Sequence, residues 1–408
     1  MAWGVNLPAH AVVIKGTEIY DAKHGAFVDL GILDVLQIFG RAGRPQFDTS
    51  GHGTIITSHD KLSHYLSLLT CQYPIESSFE KSMTDNLNAE IALGTVANVD
   101  EAVQWLSYSY LLIRMKKNPI AYGVRFDEVY DDPQLGGKRR ELIVTAARSL
   151  DQARMIRFEE RTGQLHATDL GRTASHFYIK YDTVEIFNER MHPAMNDAEI
   201  FALISMAQEF DQLKVRDDEL DELDDYLHVE CELPVSGGSE NTHGKVNILL
   251  QTFISRGQVN SFSLISDQSF IVQNATRIAR ALFEIVLRKN LPLMSGRVLR
   301  VAKMIEQRVW DSQHPLCQFP TLGQDILTKL EDRKLSLERL VEMDSKEIGL
   351  IIHNQRAGPI VKRNACEFPS LIIDATIQPI TRTVLRVRLS IRPDLNQPSS
   401  LGLGKRGA

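Results

Sequence analysis

The spacing of apolar residues changes along the chain, and this succession limits the folds that the chain can adopt. Short apolar runs near the N-terminus are typical of buried strands, whereas the longer central stretches repeat every three to four positions, as in helices. Near the C-terminus the pattern becomes a strict alternation. With 408 residues, the chain is long enough for two to four domains. We therefore predict a mixed, mainly α-helical fold built from several domains.

The N-terminal region, residues 1–75, has the pattern of an α/β domain. Ala11–Lys15 and Gly53–Thr57 are apolar runs that predict two buried strands. Leu33–Arg44 predicts a helix, and Ser58 is placed to cap a second, amphipathic helix. Two strands are too few for a complete doubly wound sheet, so this region is expected to be one part of such a domain.

Residues 80–190 combine helices with one small β-hairpin. Asp100 is placed to cap a first helix, and Lys138–Gln152 predicts a longer one. Two short apolar runs on either side of Gly163 predict the hairpin, and Thr168 is placed to begin a short helix after it. Helices with a small hairpin are typical of a winged helix.

The remaining sequence is helical and then strand-like. The predicted regions are a helical bundle at 195–315, short helices at 320–372, the start of a β domain at 373–392 and a disordered tail at 393–408. Within the bundle, the predicted helices are Lys245–Arg256, Ser269–Lys289 and Arg297–Arg308. From Leu385 to Ile391, apolar residues alternate with polar ones, which predicts a strand with one solvated face.

Composition excludes several classes of function. The net charge is −6, so contact with nucleic acid would need a local basic surface. The four cysteines form no C-x-x-C pair, which indicates a reducing compartment. Because the histidines also lack metal-ligand spacing, we predict no metal site.

No apolar run reaches about 18 residues, so no membrane partner is expected. The acidic run Asp217–Asp225 is interpreted as a solvated helix face.

The most informative string is Gln37-Ile38-Phe39-Gly40-Arg41-Ala42-Gly43-Arg44-Pro45. Arginines three residues apart on a helix project from one side. A fixed guanidinium stabilises the charge on a transferring phosphate, an effect of about 10³–10⁵ in rate. The alternative interpretation is an ordinary basic helix end with a Gly-Pro stop. We favour the phosphate interpretation.

This string resembles motif VI of the Ski-like branch of superfamily 2 nucleic-acid helicases. About thirty residues upstream, Gly4-Val5-Asn6-Leu7-Pro8-Ala9 resembles motif V of the same branch. The resemblance extends through residue 392 and is strongest to the large two-cassette helicases. Further matching phrases are Pro74–Ser77, Leu87–Ile91 and Gln378–Thr383.

The resemblance implies roles for five residues. Gln37 would lie beside the γ-phosphate and its attacking water, and Arg41 and Arg44 would be arginine fingers. Gly4 and Asn6 would connect the nucleotide cleft to the nucleic-acid path. In the intact enzyme the resemblance further implies ATP and Mg²⁺ as cofactors. The implied partners are single-stranded nucleic acid, DNA or RNA, and other subunits of a multiprotein complex, in the nucleus and cytosol.

The resemblance also implies an order of domains. These are the C-terminal part of the second RecA-like lobe at 1–75, a winged helix at 80–190, a helical ratchet bundle at 195–315, a helix-loop-helix at 320–372 and the start of an immunoglobulin-like β-sandwich at 373–392. The last three make up a Brl module. The same succession of structural classes follows from the apolar spacing alone.

Two parts of a complete ATPase are missing from the sequence. No P-loop is present: the nearest string, Ser239–Val246, lacks the first glycine and the final hydroxyl residue. Asp218–Asp221 has the letters of a Mg²⁺-binding box but lies in the acidic run. Without these groups the triphosphate and metal are not held. We therefore expect a fragment of a longer helicase, without ATPase activity of its own and without tight binding of ATP or Mg²⁺.

A basic stripe marks the predicted helix Ser269–Lys289. Arg277, Arg280 and Arg288 recur with Glu284 at intervals of three and four on an otherwise apolar helix. By resemblance, this is the ratchet helix that lines a single-strand channel, where the arginines would bind nucleic acid. The alternative is a surface helix whose arginines pair with Glu284. Two rival functions are a protein-interaction scaffold without nucleic-acid activity and a stand-alone ATPase.

Overall fold

The computed structural model describes residues 9–21, 26–43, 48–70 and 75–393. These residues form an N-terminal α/β unit, a large helical unit, a small helical unit and a C-terminal β-hairpin. Their buried apolar side chains form three separate cores. The prediction of a mainly helical fold is confirmed. Of the tail predicted at 393–408, Pro393 belongs to the last strand, and the residues from 394 onward lie outside the described residues.

The N-terminal α/β unit is small. Its elements are β1 (Ala11–Lys15), β2 (Glu18–Asp21), β3 (Ala26–Asp29), α1 (Ile32–Phe39), β4 (His52–Ile56) and α2 (Leu62–Leu69). Strands β1 and β4 are parallel, and β2 and β3 are antiparallel. The four residues of the core are Ile14, Leu30, Val35 and Tyr65. The expectation that both strands are buried is wrong, because so small a core leaves most of β1 and β4 exposed.

Helix α1 ends earlier than the sequence predicts. We expected a helix as far as Arg44, but α1 ends at Phe39 and Arg41 lies in the following turn. Gly43 has a φ of 95°, a left-handed conformation that cannot continue a right-handed helix. Arg41 therefore lies beyond the end of α1, and Arg44 lies outside the described residues.

The large helical unit begins with helices packed around a β-hairpin. Its first elements are α3 (Met83–Leu93), α4 (Val99–Ser107), α5 (Tyr110–Lys117), α6 (Phe126–Asp131), α7 (Gly136–Gln152), β5 (Ile156–Glu159), β6 (Gln164–Ala167), α8 (Asp169–His176) and α9 (Tyr181–Arg190). The predicted hairpin is confirmed, and the Thr168 hydroxyl caps α8 by accepting from the amide of Gly171. The cap of α4 is Asn98 rather than Asp100, because the Asn98 side chain accepts from the Glu101 amide.

The same core continues without a break into a helical bundle. The bundle contains α10 (Asp197–Ser205), α11 (Leu220–Val229), α12 (Thr242–Ile254), α13 (Phe262–Arg288) and α14 (Pro292–Gln307). Helix α13 begins at Phe262 rather than Ser269 because its apolar face extends back through Leu264. Helix α14 begins at Pro292 rather than Arg297, since proline is well suited to the first helical position. No helix in the described part of the chain has the length and apolarity needed to cross a bilayer.

A buried ammonium group fixes α13 against its neighbours. Lys245 on α12 is fully buried, and its Nζ lies 2.6 Å from Glu219 Oε2 and 2.8 Å from Asp267 Oδ2 on α13. Burial alone raises the pKa of Glu219, but hydrogen bonds from Lys245 and Ser263 outweigh it and hold the pKa below its usual value. The expectation that Asp217–Asp225 is a solvated face is therefore wrong at Glu219, which is 1% exposed.

Helix α12 itself depends on a close backbone contact next to this lysine. A Cβ atom on Gly244 would lie 1.8 Å from the carbonyl oxygen of Gly238. Only glycine allows the loop before α12 to approach the helix so closely. Ser239–Val246, the string nearest to a P-loop, therefore contains the tightly packed N-terminus of α12, and its Lys245 is buried in the core.

Replacing Lys245 with methionine should destabilise the chain strongly. The Lys245→Met variant removes the fully buried cation beside Glu219 and Asp267 and leaves them only the partly exposed Arg216. Removing one partner from a buried charge cluster typically costs about 3–5 kcal/mol. Urea unfolding measured by circular dichroism gives the free energy of unfolding of each variant. Lys346→Met, at an exposed position on a later helix, is the control and should change it by less than about 0.5 kcal/mol. An equal, small effect of both substitutions would show that Lys245 is not the fixing contact.

Residues 75–78, which precede the large unit, are attached to it through Glu76. Its carboxylate accepts from Arg114 at 2.8 and 3.1 Å, from Asn118 at 2.8 Å and from the Tyr122 hydroxyl at 2.7 Å. These bonds, above all that from Arg114, lower the pKa of Glu76 from 4.5 to about 2. The carboxylate is thus more acidic in the folded chain than in the unfolded chain, so its contribution to stability is present above pH 4.5 and is lost toward pH 2.

The Glu76→Gln substitution should remove this pH dependence. We expect the variant to melt at a lower temperature than the parent chain at pH 7, and the difference to shrink as the pH falls from 4.5 toward 2. Thermal melts across this range measure the difference directly. Glu80→Gln, at an exposed position, is the matched control and should leave the profile unchanged. A difference that stays constant with pH would contradict the role of the carboxylate charge.

The C-terminal part contains the small helical unit and the hairpin. The elements are α15 (Gln324–Asp332), α16 (Leu337–Glu342), α17 (Ser345–Ile351), α18 (Gly358–Cys366), β7 (Leu371–Pro379) and β8 (Leu385–Pro393). The strand predicted from the alternation is confirmed as β8, and β7 pairs with it in antiparallel register. Both faces of the hairpin are exposed. One carries apolar pairs such as Ile373 with Ile391, and the other carries Arg386, Arg388 and Arg392.

Candidate nucleic-acid interface

The predicted arginines of α13 contact two neighbouring helices: Arg277 and Arg288 reach opposite ends of α8, and Arg280 reaches α14. Arg277 is half-buried and donates to two backbone carbonyls at the end of α8, those of Phe177 (3.0 Å) and Tyr178. It also donates to Asn274 Oδ1 at 2.6 Å. The Arg277 guanidinium therefore joins α13 to α8, and its substitution would disturb this packing.

Arg280 and Arg288 are more exposed and form ion pairs. Arg280 pairs with Glu306 on α14, and Arg288 lies 3.3 Å from Asp169 at the start of α8. Their side chains remain 46% and 50% exposed, so both cations are accessible from solvent. The intrahelical pairs with Glu284, which the alternative interpretation required, are not formed within the described ranges. The basic stripe instead connects α13 to its neighbours.

A cleft opens where the C-terminal end of α13 meets the hairpin β5–β6 and α8. Its volume is about 480 Å³. The cations that line it are Arg154, Arg157, Arg172, Arg288 and Lys289. Asp169 is the carboxylate among its described lining residues. Arg288 was predicted as a binding residue, but the other four cations were not, because residues from two distant segments meet only in the folded chain.

The wall of this cleft is built by a close contact between α8 and the hairpin. A Cβ atom on Gly171 would lie 2.0 Å from the carbonyl oxygen of Met155. The amide of Asn88 on α3 also donates to the Gly171 carbonyl at 3.0 Å. Helix α8 is therefore held against β5 and α3, with Thr168, Asp169 and Arg172 at the cleft.

The motif VI string is joined to the end of the motif V string by backbone hydrogen bonds. The Ala9 amide donates to the Arg41 carbonyl at 2.9 Å, and the Gly43 amide donates to the Ala9 carbonyl at 2.6 Å. Gln37 is exposed on α1, and Arg41 is half-buried. Because Gly4, Asn6 and Arg44 lie outside the described residues, the joint action of these groups stays a prediction.

The described residues do not fit ATP and Mg²⁺ by themselves. Lys245, the nearest approach to a P-loop lysine, is bound in the core by two carboxylates. In the described ranges, no group of three or more His, Cys, Asp or Glu side chains has the geometry to hold a metal ion.

Comparisons with known proteins identify two domain families along the chain. Residues 167–406 match the Sec63 Brl domain, and residues 76–152 match a winged helix-turn-helix domain. The chain is 60% identical over 396 residues to activating signal cointegrator 1 complex subunit 3 of Bos taurus and 59% identical over 394 residues to that of Homo sapiens. It is 54% identical over 395 residues to a DExH-box ATP-dependent RNA helicase of Arabidopsis thaliana.

These alignments cover 97% of the chain but only 18% of each relative. The chain thus spans less than a quarter of the length of these curated relatives.

Proposed function

The chain belongs to the Sec63 Brl domain family, and on that premise we propose that it is the C-terminal part of an ATP-dependent DNA or RNA helicase cassette. In this proposal, α13 is the ratchet helix and contacts single-stranded nucleic acid through Arg280 and Arg288. The RNA helicase among the relatives supports the proposal. Other subunits of a multiprotein complex are the proposed protein partners, in the nucleus and cytosol.

The proposed domains follow the described units. The α/β unit is the C-terminal part of a RecA-like lobe, and residues 80–190 form the winged helix. The ratchet bundle, helix-loop-helix and start of an immunoglobulin-like β-sandwich form the Brl module. In the whole enzyme, we propose that Gln37, Arg41 and Arg44 act on ATP, with the P-loop and Mg²⁺ ligands supplied outside this chain.

The observation that carries the proposal is the placement of α13. This helix of 27 residues contacts α8 at one side and α12 and α14 at another, within one continuous core. Arg280 and Arg288 remain about half exposed on it. A rigid helix with accessible guanidinium groups can follow the phosphates of a strand without reading its sequence.

The Arg280→Gln substitution should weaken strand binding. We expect the dissociation constant for a fluorescein-labelled 15-nucleotide oligouridylate, measured by anisotropy, to rise several-fold. The slope of log affinity against log salt should also fall by about 0.7, the value for one lost phosphate contact. Glu306→Gln is the matched control, because it breaks the same ion pair but leaves the cation. It should keep or strengthen binding.

Equal effects of these two substitutions would contradict a direct role for Arg280 and assign the loss to helix packing. No measurable affinity of the parent chain for DNA or RNA strands would contradict the proposed function itself. The Arg277→Glu, Arg280→Glu pair is a less specific test, because Arg277 also holds α8.

A second candidate function is a protein-interaction scaffold. It is favoured by the exposed hairpin β7–β8, whose apolar face includes Ile373, Ile377, Leu389 and Ile391. An exposed apolar face of this kind marks a surface that packs against further protein. Assembly with partner subunits in the absence of strand affinity would favour this function over the first.

A further inference from the structure

We propose that the cleft between the hairpin β5–β6, α8 and the C-terminal end of α13 binds a phosphate group. If the phosphate belongs to the backbone of a nucleic-acid strand, this inference rests on the proposed function. If it belongs to a free phosphorylated ligand, the inference is independent of the proposed function. The cleft is separate from Arg280 and involves four cations that the sequence did not identify as site residues: Arg154, Arg157, Arg172 and Lys289.

The charges that line the cleft are unbalanced. Asp169 lies 3.3 Å from both Arg172 and Arg288, so its single charge is shared between two guanidinium groups. Within the part of the chain that the structure describes, no carboxylate lies within 4.0 Å of the side-chain nitrogens of Arg154, Arg157 or Lys289. An excess of positive charge that the protein does not neutralise favours an anion.

Lys289 is held beside Arg154 in the cleft, at a cost to the charged state of the lysine. Partial withdrawal from water lowers the pKa of Lys289, and the charge of Arg154 lowers it further. A bound anion would reverse the second effect. Arg154 also has a φ of 61°, in the left-handed region that side chains other than glycine rarely adopt. Its carbonyl accepts from the Thr168 hydroxyl at 2.8 Å, which fixes the strained residue at the rim.

Neutral groups in the cleft also suit an anion. The first residues of α8 line it, and the N-terminus of a helix carries partial positive charge. The buried hydroxyl of Thr173 lies in the same wall and has no hydrogen-bond partner among the described residues. An unsatisfied polar group in a cleft wall indicates an additional partner.

The arrangement fits phosphate better than a single carboxylate. Several guanidinium groups around one cleft can donate to three or four oxygens of a phosphate at once, and arginine is well suited to such recognition. Arg288 lies both in the cleft and on α13. A strand that follows α13 toward its C-terminal end would therefore bring a backbone phosphate to this position.

The test combines a free anion with a strand. The variant Arg154→Gln, Lys289→Gln removes two charges from the cleft, neither of which is ion-paired in the structure. The control Arg333→Gln, Arg339→Gln removes two exposed charges from the small helical unit. Melting temperatures in phosphate-free buffer establish that both proteins are folded. The two probes are inorganic tripolyphosphate, read by melting temperature, and the labelled oligouridylate, read by anisotropy.

We expect tripolyphosphate to raise the melting temperature of the parent chain and the control, but not that of the cleft variant. A strand as the source of the phosphate also predicts weaker oligonucleotide binding by the cleft variant, with a salt slope lower by about 0.7 for each lost contact. If the cleft variant loses the tripolyphosphate effect but binds the strand as the parent does, the source of the phosphate is a free phosphorylated ligand. Either result supports the cleft as a phosphate site.

The inference would be overturned if tripolyphosphate did not change the melting temperature of the parent chain and the parent and the cleft variant bound the strand with equal affinity. An equal tripolyphosphate shift in all three proteins, again with equal strand affinity, would overturn it too. If Arg280→Gln still weakened strand binding in either case, the proposed function would stand without the cleft. If the parent chain bound no strand but kept the cleft-dependent shift, the proposed function would fail and the phosphate site would remain.

Discussion

The position of α13 depends on the buried ammonium group of Lys245. Its Nζ donates to Glu219 and to the Lys214 carbonyl and lies 2.8 Å from Asp267 of α13, so the lysine joins α13 to the segment before α11. Buried ion pairs often add little net stability compared with apolar side chains of similar size, but an unpaired buried charge is very unfavourable. The lysine therefore acts mainly against alternative packings. A packing that moved α13 away from Lys245 would separate Asp267 from this buried cation.

The other end of α13 is fixed by contacts of a different kind. Arg277 donates to carbonyls after α8, and Arg288 pairs with Asp169 at its start. These groups are more exposed than Lys245, and their interactions are screened by salt and by competing anions. A phosphate at the cleft would compete for Arg288 while the buried end of α13 remained in place. The helix thus combines a rigid attachment at one end with an accessible charged surface at the other.

Local signals in the sequence predicted much of the fold. Thr168 was recognised as a helix start because capping depends on residues within one turn, and the structure shows this cap. The hairpin around Gly163 followed from turn chemistry in the same way. The start of α13 was missed because Asp267 looks like a surface residue until Lys245 is placed beside it. The end of α1 was missed because Gly43 permits a left-handed turn but does not require one.

The candidate site was less predictable than the fold. A stripe such as Arg277, Arg280 and Arg288 is visible from helical periodicity, but its partners on α8 and α14 are not. The cleft joins residues near 154–172 to Arg288 and Lys289, which no local pattern connects. The family resemblance assigned roles to Gln37 and Arg41 but cannot give the geometry of a nucleotide site whose other groups are absent from the sequence.

Photo-crosslinking tests most directly whether α13 and its cleft form the path of a strand. An oligouridylate that contains 4-thiouridine is bound to the chain, irradiated, and the crosslinked peptides are identified by mass spectrometry. We expect crosslinks in the C-terminal half of α13 and in the segments that form the hairpin β5–β6 and α8. Crosslinks confined to the arginine face of β7–β8 or to the small helical unit would contradict this path.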